Sequence, residues 1–122
     1  MIELRKEDFS IDEIVGKMKN PDTGAISSYL GIVREFPSGN GLEFEEEKSI
    51  IQKLKEIEQQ AIEKFDIRDV AIIHRVGFLG ISENILLIAV SAAHRRPAFD
   101  ACSSIIDDIK ILHKSWGKET VE

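Results

Sequence analysis

A single cysteine, Cys102, in 122 residues leaves no partner for an internal disulfide and no thiolate set for a zinc site. Long apolar runs are missing too: the longest, Ile85 to Val90, is six residues, against the roughly 20 a membrane helix needs. No basic stretch followed by an apolar one opens the chain, so no signal peptide is expected and the reducing cytoplasm is the expected address. Positive charge is in deficit, with 16 Lys+Arg against 22 Asp+Glu and a formal net of −6, which excludes a general nucleic-acid binder. No internal repeat, low-complexity tract or linker divides the sequence. What is present is a globular composition, 43% apolar and 31% charged. The length predicts one domain over residues 1–122, since domains usually run to roughly 100–200 residues.

Periodicity supplies the elements. Met1–Arg5 alternates as a strand does, and Ser10 with Glu13 has capping-box spacing before an apolar stripe of Ile11, Ile14, Val15 and Met18. Asn20-Pro21-Asp22-Thr23-Gly24 ends that helix. Ala25–Arg34 reads as a strand whose Gly31 marks a bulge or a close approach, and Leu42-Glu43-Phe44 as a short one. From about Glu46 to Phe65 a stripe of Ile50, Leu54, Ile57, Ala61 and Phe65 predicts the clearest helix. Val70–Val76 and Asn84–Ala92 read as strands joined through Gly77-Phe78-Leu79-Gly80. The second is apolar on both faces and is expected to be central, with both faces covered. A last helix is expected to open at Pro97 and to bury Ala98, Ala101, Cys102, Ile105, Ile109 and Leu112. The order β-α-β-β-α-β-β-α predicts an α+β domain with a largely antiparallel sheet and packed helices.

Charge is unevenly placed. Between Ser91 and Lys118 stand five basic residues and three acidic ones, while the remainder of the chain holds 11 against 19. Ser91-Ala92-Ala93-His94-Arg95-Arg96-Pro97-Ala98-Phe99 runs from a strand into a helix amino terminus, where unpaired N–H groups and the positive dipole end favour an anion. His94 and Arg95 add side-chain donors, and the backbone N–H groups near Pro97 to Phe99 are the expected main-chain ones. Lys110 and Lys114 share a helix face, with Lys118 following; a partly desolvated lysine beside other cations loses its proton more readily. His74, His94 and His113 show no metal-ligand spacing, and His74, at a strand end, reads as a hydrogen-bonded structural residue. No H-E-x-x-H, C-x-x-C, G-x-G-x-x-G, phosphate-loop or G-x-S-x-G motif occurs. Trp116 reads as the cover of an apolar edge or as part of an interface.

Four segments together resemble the MoaE family, the large, catalytic subunit of molybdopterin synthase: Gly24-Ala25 through Gly31-Ile32-Val33-Arg34; Ile73-His74-Arg75-Val76-Gly77-Phe78-Leu79; Ser91 through Phe99; and Asp107-Asp108-Ile109-Lys110 through Trp116-Gly117-Lys118-Glu119. The resemblance implies an α/β-hammerhead fold and a homodimeric core. It also implies a ubiquitin-like, MoaD-like small subunit at each end, completing a heterotetramer. That partner's carboxyl-terminal Gly-Gly thiocarboxylate would supply sulfur to cyclic pyranopterin monophosphate. Two transfers would form the dithiolene of molybdopterin in molybdenum cofactor biosynthesis. The pterin is then the substrate, and no cofactor, metal, nucleic acid or membrane is expected on this subunit. By the same resemblance Arg34, His94 and Arg95 bind the substrate and Lys110 acts in sulfur transfer.

The departures fall near the end. Where the family reads tryptophan-lysine-lysine-glutamate, this chain has Trp116-Gly117-Lys118-Glu119, so the first of the two lysines is replaced by Gly117. The chain also ends at Glu122, before the further basic group that relatives carry. Lys118 is the expected stand-in, swung inward by the backbone freedom of Gly117. The alternative is a relative that binds the ubiquitin-like subunit or a pterin phosphate without efficient turnover.

Overall fold

The structure, a computed structural model, describes residues 1–120; the chain end at Glu122 lies outside them. The elements are β1 (Ile2–Arg5), α1 (Ile11–Lys17), β2 (Ala25–Ile32), β3 (Gly41–Phe44), α2 (Lys48–Lys64), β4 (Asp69–Arg75), β5 (Gly77–Gly80), β6 (Asn84–Ala92), α3 (Arg95–Trp116) and β7 (Gly117–Thr120). Capping starts α1 as the spacing predicts, with Ser10 Oγ accepting from the Glu13 N–H at 3.3 Å. β2 carries its irregularity between Gly31 and Ile32, where the register shifts against β6.

Four strands form one sheet in the order β1-β4-β6-β2. β1 runs parallel to β4, and the other pairs are antiparallel. β6 is central, and this single chain covers both its faces. Leu86, Ile88, Val90 and Ala92 join the main core with Leu54 and Ala61 of α2 and Ile105 and Ile109 of α3. Leu87 and Ala89 meet Ile14 and Met18 of α1 on the other side. The apolarity of Ile85–Val90 is therefore satisfied by α1, α2 and α3 and is no argument for a dimer.

Two short strands escape the sequence reading. β5 and β7 flank β3 in a second antiparallel sheet, ordered β5-β3-β7. β5 is Gly-Phe-Leu-Gly, whose glycines read as a turn; Gly77, at φ +91°, does make the corner between β4 and β5. β7 is Gly-Lys-Glu-Thr, with no apolar alternation, and it exists because β3 offers it a pairing edge. The last helix is followed by a strand, and it opens at Arg95 with His94 as N-cap, two residues before Pro97. Pro97 is its third residue, where a missing N–H still costs no helical bond.

Candidate functional site

β2 and β6 pair antiparallel from Ala25 opposite Ala92 to Ile32 opposite Asn84, and α3 packs across them. The amino end of α3 therefore lies at the start of β2, and its carboxyl end near the finish of β2. The residues singled out from the sequence divide between these two ends.

His94, Arg95 and Arg96 stand together, exposed, at the amino end. His94 has extended backbone, its side chain makes no capping bond, and the first turn holds no acidic residue. The free backbone donors belong to Arg95 and Arg96. Pro97 has none, and Phe99 already lies within the helical ladder, so the expected donors shift two residues back.

The other end holds a cavity of about 160 Å³ between β2 (Tyr29, Ile32), β6 (Leu86) and α3 (Ile106, Lys110, His113). Its walls are largely apolar, with Tyr29, Lys110 and His113 as the polar groups. Arg34 follows two residues after Ile32, exposed. Among the described residues no ion pair engages Arg34, Arg95, Arg96, Lys110 or Lys114, which leaves their charge available to an anion. Fifteen residues separate Arg95 from Lys110 along α3, about 22 Å at helical rise. Within one chain Lys110 thus lines a cavity whose Ile32 wall lies two residues before Arg34, while His94 and Arg95 stand at the other end of α3.

Lys118 is not in this cavity. It lies on β7 opposite Glu43, exposed, with its ammonium 3.4 Å from Glu45 Oε1. Gly117 takes an ordinary extended conformation, φ −78° and ψ 146°, so no glycine-only backbone turns Lys118 inward. What requires glycine there is space: a Cβ would lie 2.7 Å from Phe44 Cε1. The expectation that Lys118 reaches the Lys110 site is corrected on both counts.

Phe44 belongs to a buried aromatic cluster that locks the end of α3 to both sheets. Its ring centroid lies 4.7 Å from His74, 5.1 Å from His113 and 4.9 Å from Trp116. Trp116 Nε1 donates to the Glu45 carbonyl at 2.8 Å, so this residue covers an edge of the core. His74 Nδ1 donates to the Arg75 carbonyl at 2.6 Å, and His74 Nε2 lies 2.8 Å from His113 Nε2. Burial, and then the neighbouring His113, push His74 down to about 3. Burial, and then the Lys110 charge, push His113 down to about 4. Both rings are neutral at neutral pH. Arg75 is a structural clamp, donating to the Lys6 and Asn84 carbonyls. Sequence reasoning missed His113 and Tyr29 as cavity residues, although His113, three residues after Lys110, shares its helix face.

The family model described as MoaE protein matches residues 4–111. The molybdopterin synthase catalytic subunit of Pyrococcus abyssi is 36% identical over 97% of this chain and 82% of its own. The crystal structure of molybdopterin synthase from Staphylococcus aureus superposes with a TM-score of 0.86 at 31% identity, over 98% of this chain and 90% of that one. A more distant structure, the complex of subunits 1 and 2 of molybdopterin-converting factor from Helicobacter pylori, has a TM-score of 0.70 over 89% of this chain and 77% of that one. At 18% identity it speaks to the fold alone. These likenesses span the cavity, the basic turn and both sheets, and on them the chain belongs to the MoaE family and has a catalytic role in molybdenum cofactor biosynthesis.

Proposed function

We propose that the chain transfers sulfur from the thiocarboxylated tail of a small ubiquitin-like subunit to cyclic pyranopterin monophosphate, with Lys110 as the working residue. The observation that carries this reading is Lys110, exposed and without an ion pair among the described residues, at the edge of a narrow, largely apolar cavity beside Tyr29 and His113. Such a cavity admits a thin chain terminus, and an ammonium at its edge stabilises negative charge that develops on the reacting sulfur or oxygen. Each transfer breaks the donor's C–S bond and forms one at the pterin, and an oxygen from water or from the substrate carbon that takes the sulfur leaves the donor's terminus an ordinary carboxylate. The pterin is substrate, no cofactor is assigned to this subunit, and the cytoplasm is the compartment that goes with the reading. A relative that binds without turnover gains no support from homologues described as catalytic subunits.

The separation of about 22 Å between Arg95 and Lys110 leads to a homodimer as part of this proposal. The substrate's phosphate would sit on His94 and Arg95 of one copy and its reacting carbons at Lys110 of the other, with Arg34 beside that lysine. The outer edge of β2 pairs with no strand among the described residues, and β2 carries exposed Leu30 and Ile32 next to the cavity, a surface suited to a second copy.

A turnover assay with thiocarboxylated small subunit and the cyclic pterin tests the reaction. Mixing Lys110→Ala with Arg95→Ala tests the shared site. Each variant alone is expected to be weak, and the mixed dimer, holding one intact site, to regain activity. No recovery on mixing, or a monomer in sedimentation at micromolar concentration, rejects the shared site.

A further inference from the structure

The hydrogen bonds around His74 fix more than its own ring. A backbone carbonyl only accepts, so the 2.6 Å contact to the Arg75 carbonyl places the His74 proton on Nδ1. Its Nε2 is then an acceptor, and the 2.8 Å contact requires His113 to carry its proton on Nε2. His113 Nδ1 is left with a free lone pair. Among the described residues no hydrogen bond engages that atom, and the one buried side-chain polar atom without a partner is Ser91 Oγ, so His113 Nδ1 reaches solvent. Lys110, one turn back on the same helix face, lines the same cavity, and its ammonium likewise has no protein partner among the described residues.

We propose that His113 is the positioning residue for Lys110: its Nδ1, engaged by no group among the described residues, accepts a hydrogen bond from the Lys110 ammonium when that exposed side chain turns in from solvent, and so holds the group at the cavity. The chain from the Arg75 carbonyl through His74 to His113 serves as a tautomer lock. With the opposite tautomer, Nδ1 would present a proton to a cation and repel it. Burial keeps both imidazoles neutral, so the acceptor persists across the physiological range. The groups facing His113 are His74 from β4, Phe44 from β3, and Lys110 and Trp116 from its own helix, and none of them carries negative charge. The role assigned here rests on the reading of Lys110 as the working lysine, but the geometry and its test do not require turnover.

Ring ¹⁵N spectra of the wild-type chain should show His113 with a protonated Nε2 and a bare Nδ1 from pH 6 to pH 8. A protonated Nδ1 overturns the proposal without any variant. Reductive methylation, read on the Lys110 peptide at pH 8, then tests the contact, because losing an acceptor lowers the proton affinity of the amine. His113→Phe keeps a ring and removes the acceptor, and is expected to raise the labelling rate of Lys110 about threefold or more, the equivalent of a modest hydrogen bond. His113→Gln replaces the donor at Nε2 but not the acceptor, and is expected to behave like His113→Phe. His113→Asn returns an oxygen near the Nδ1 position, and its rate should return toward wild type. Equal labelling in all four proteins overturns the proposal. Full turnover by Lys110→Ala would instead end the sulfur-transfer reading while leaving the spectra and labelling rates as they are.

Discussion

The two ends of α3 differ in what holds them. At the amino end His94, Arg95 and Arg96 are exposed, make no ion pair or side-chain hydrogen bond among the described residues, and are set by local sequence: a strand, a turn and a helix start. At the carboxyl end Lys110 and His113 depend on β2 and β6 for the cavity and on His74, Phe44 and Trp116 for its support. A site of the first kind is a charge pattern and tolerates change in its neighbours. The second is a packing arrangement, so substitutions among its buried groups alter stability and chemistry together. The comparison is testable because variants at the amino end should act on binding alone.

The largest expected effect is that of Lys110→Ala. It should cut turnover by about 10²–10⁴-fold, the usual range for a positioned acid–base group. The lysine is exposed, so the unfolding midpoint should stay within about 0.5 kcal/mol of wild type, as for other surface changes. Unchanged single-turnover rates remove Lys110 from the mechanism.

Stability should fall in acid because of the same end of the helix. His74 and His113 have folded values lowered to about 3 and about 4 from an ordinary 6.5, so the unfolded chain binds more protons than the folded one below 6.5. The stabilisation is complete above pH 6.5 and drains as pH falls toward 4, at up to about 1.4 kcal/mol per pH unit for each ring. Urea titrations at pH 7 and pH 5 should differ by about 2 kcal/mol or more. His113→Asn should lose part of that dependence.

Arg95→Ala should weaken substrate binding by about 1.5–3 kcal/mol, the worth of a hydrogen bond to a charged group, without moving the unfolding midpoint. Calorimetry that finds the dissociation constant unchanged removes the phosphate from this turn. Gly117→Ala presses a methyl group on Phe44 and should cost about 1–3 kcal/mol of stability, the range for overpacking. Gly117→Lys should cost at least as much rather than restore activity. Smallest of all, Lys118→Ala breaks an exposed pair with Glu45 and should shift stability by no more than about 1 kcal/mol. A tenfold loss of turnover in that variant would return Lys118 to the site.

Much of this was legible in the order of residues. Capping at Ser10, the stripes of α2 and α3, the β6 run and the bulge near Gly31 are local patterns, and each formed where periodicity or turn chemistry placed it. The basic turn at His94 was legible for the same reason, since a helix start needs only its neighbours in sequence. Tertiary structure alone decided the rest. β5 and β7 are too short and too rich in glycine or charge to signal themselves, and they exist as strands because β3 lies between them. Gly117 looked like conformational freedom and is a matter of space beside Phe44, which no local rule contains. His74 and His113 are 39 residues apart in sequence and share a hydrogen bond because β4 passes under the last turns of α3. Sequence fixes what a residue can donate, accept or bury; which of these it does depends on long-range packing, because only contact across the chain can expel the water that would otherwise satisfy it.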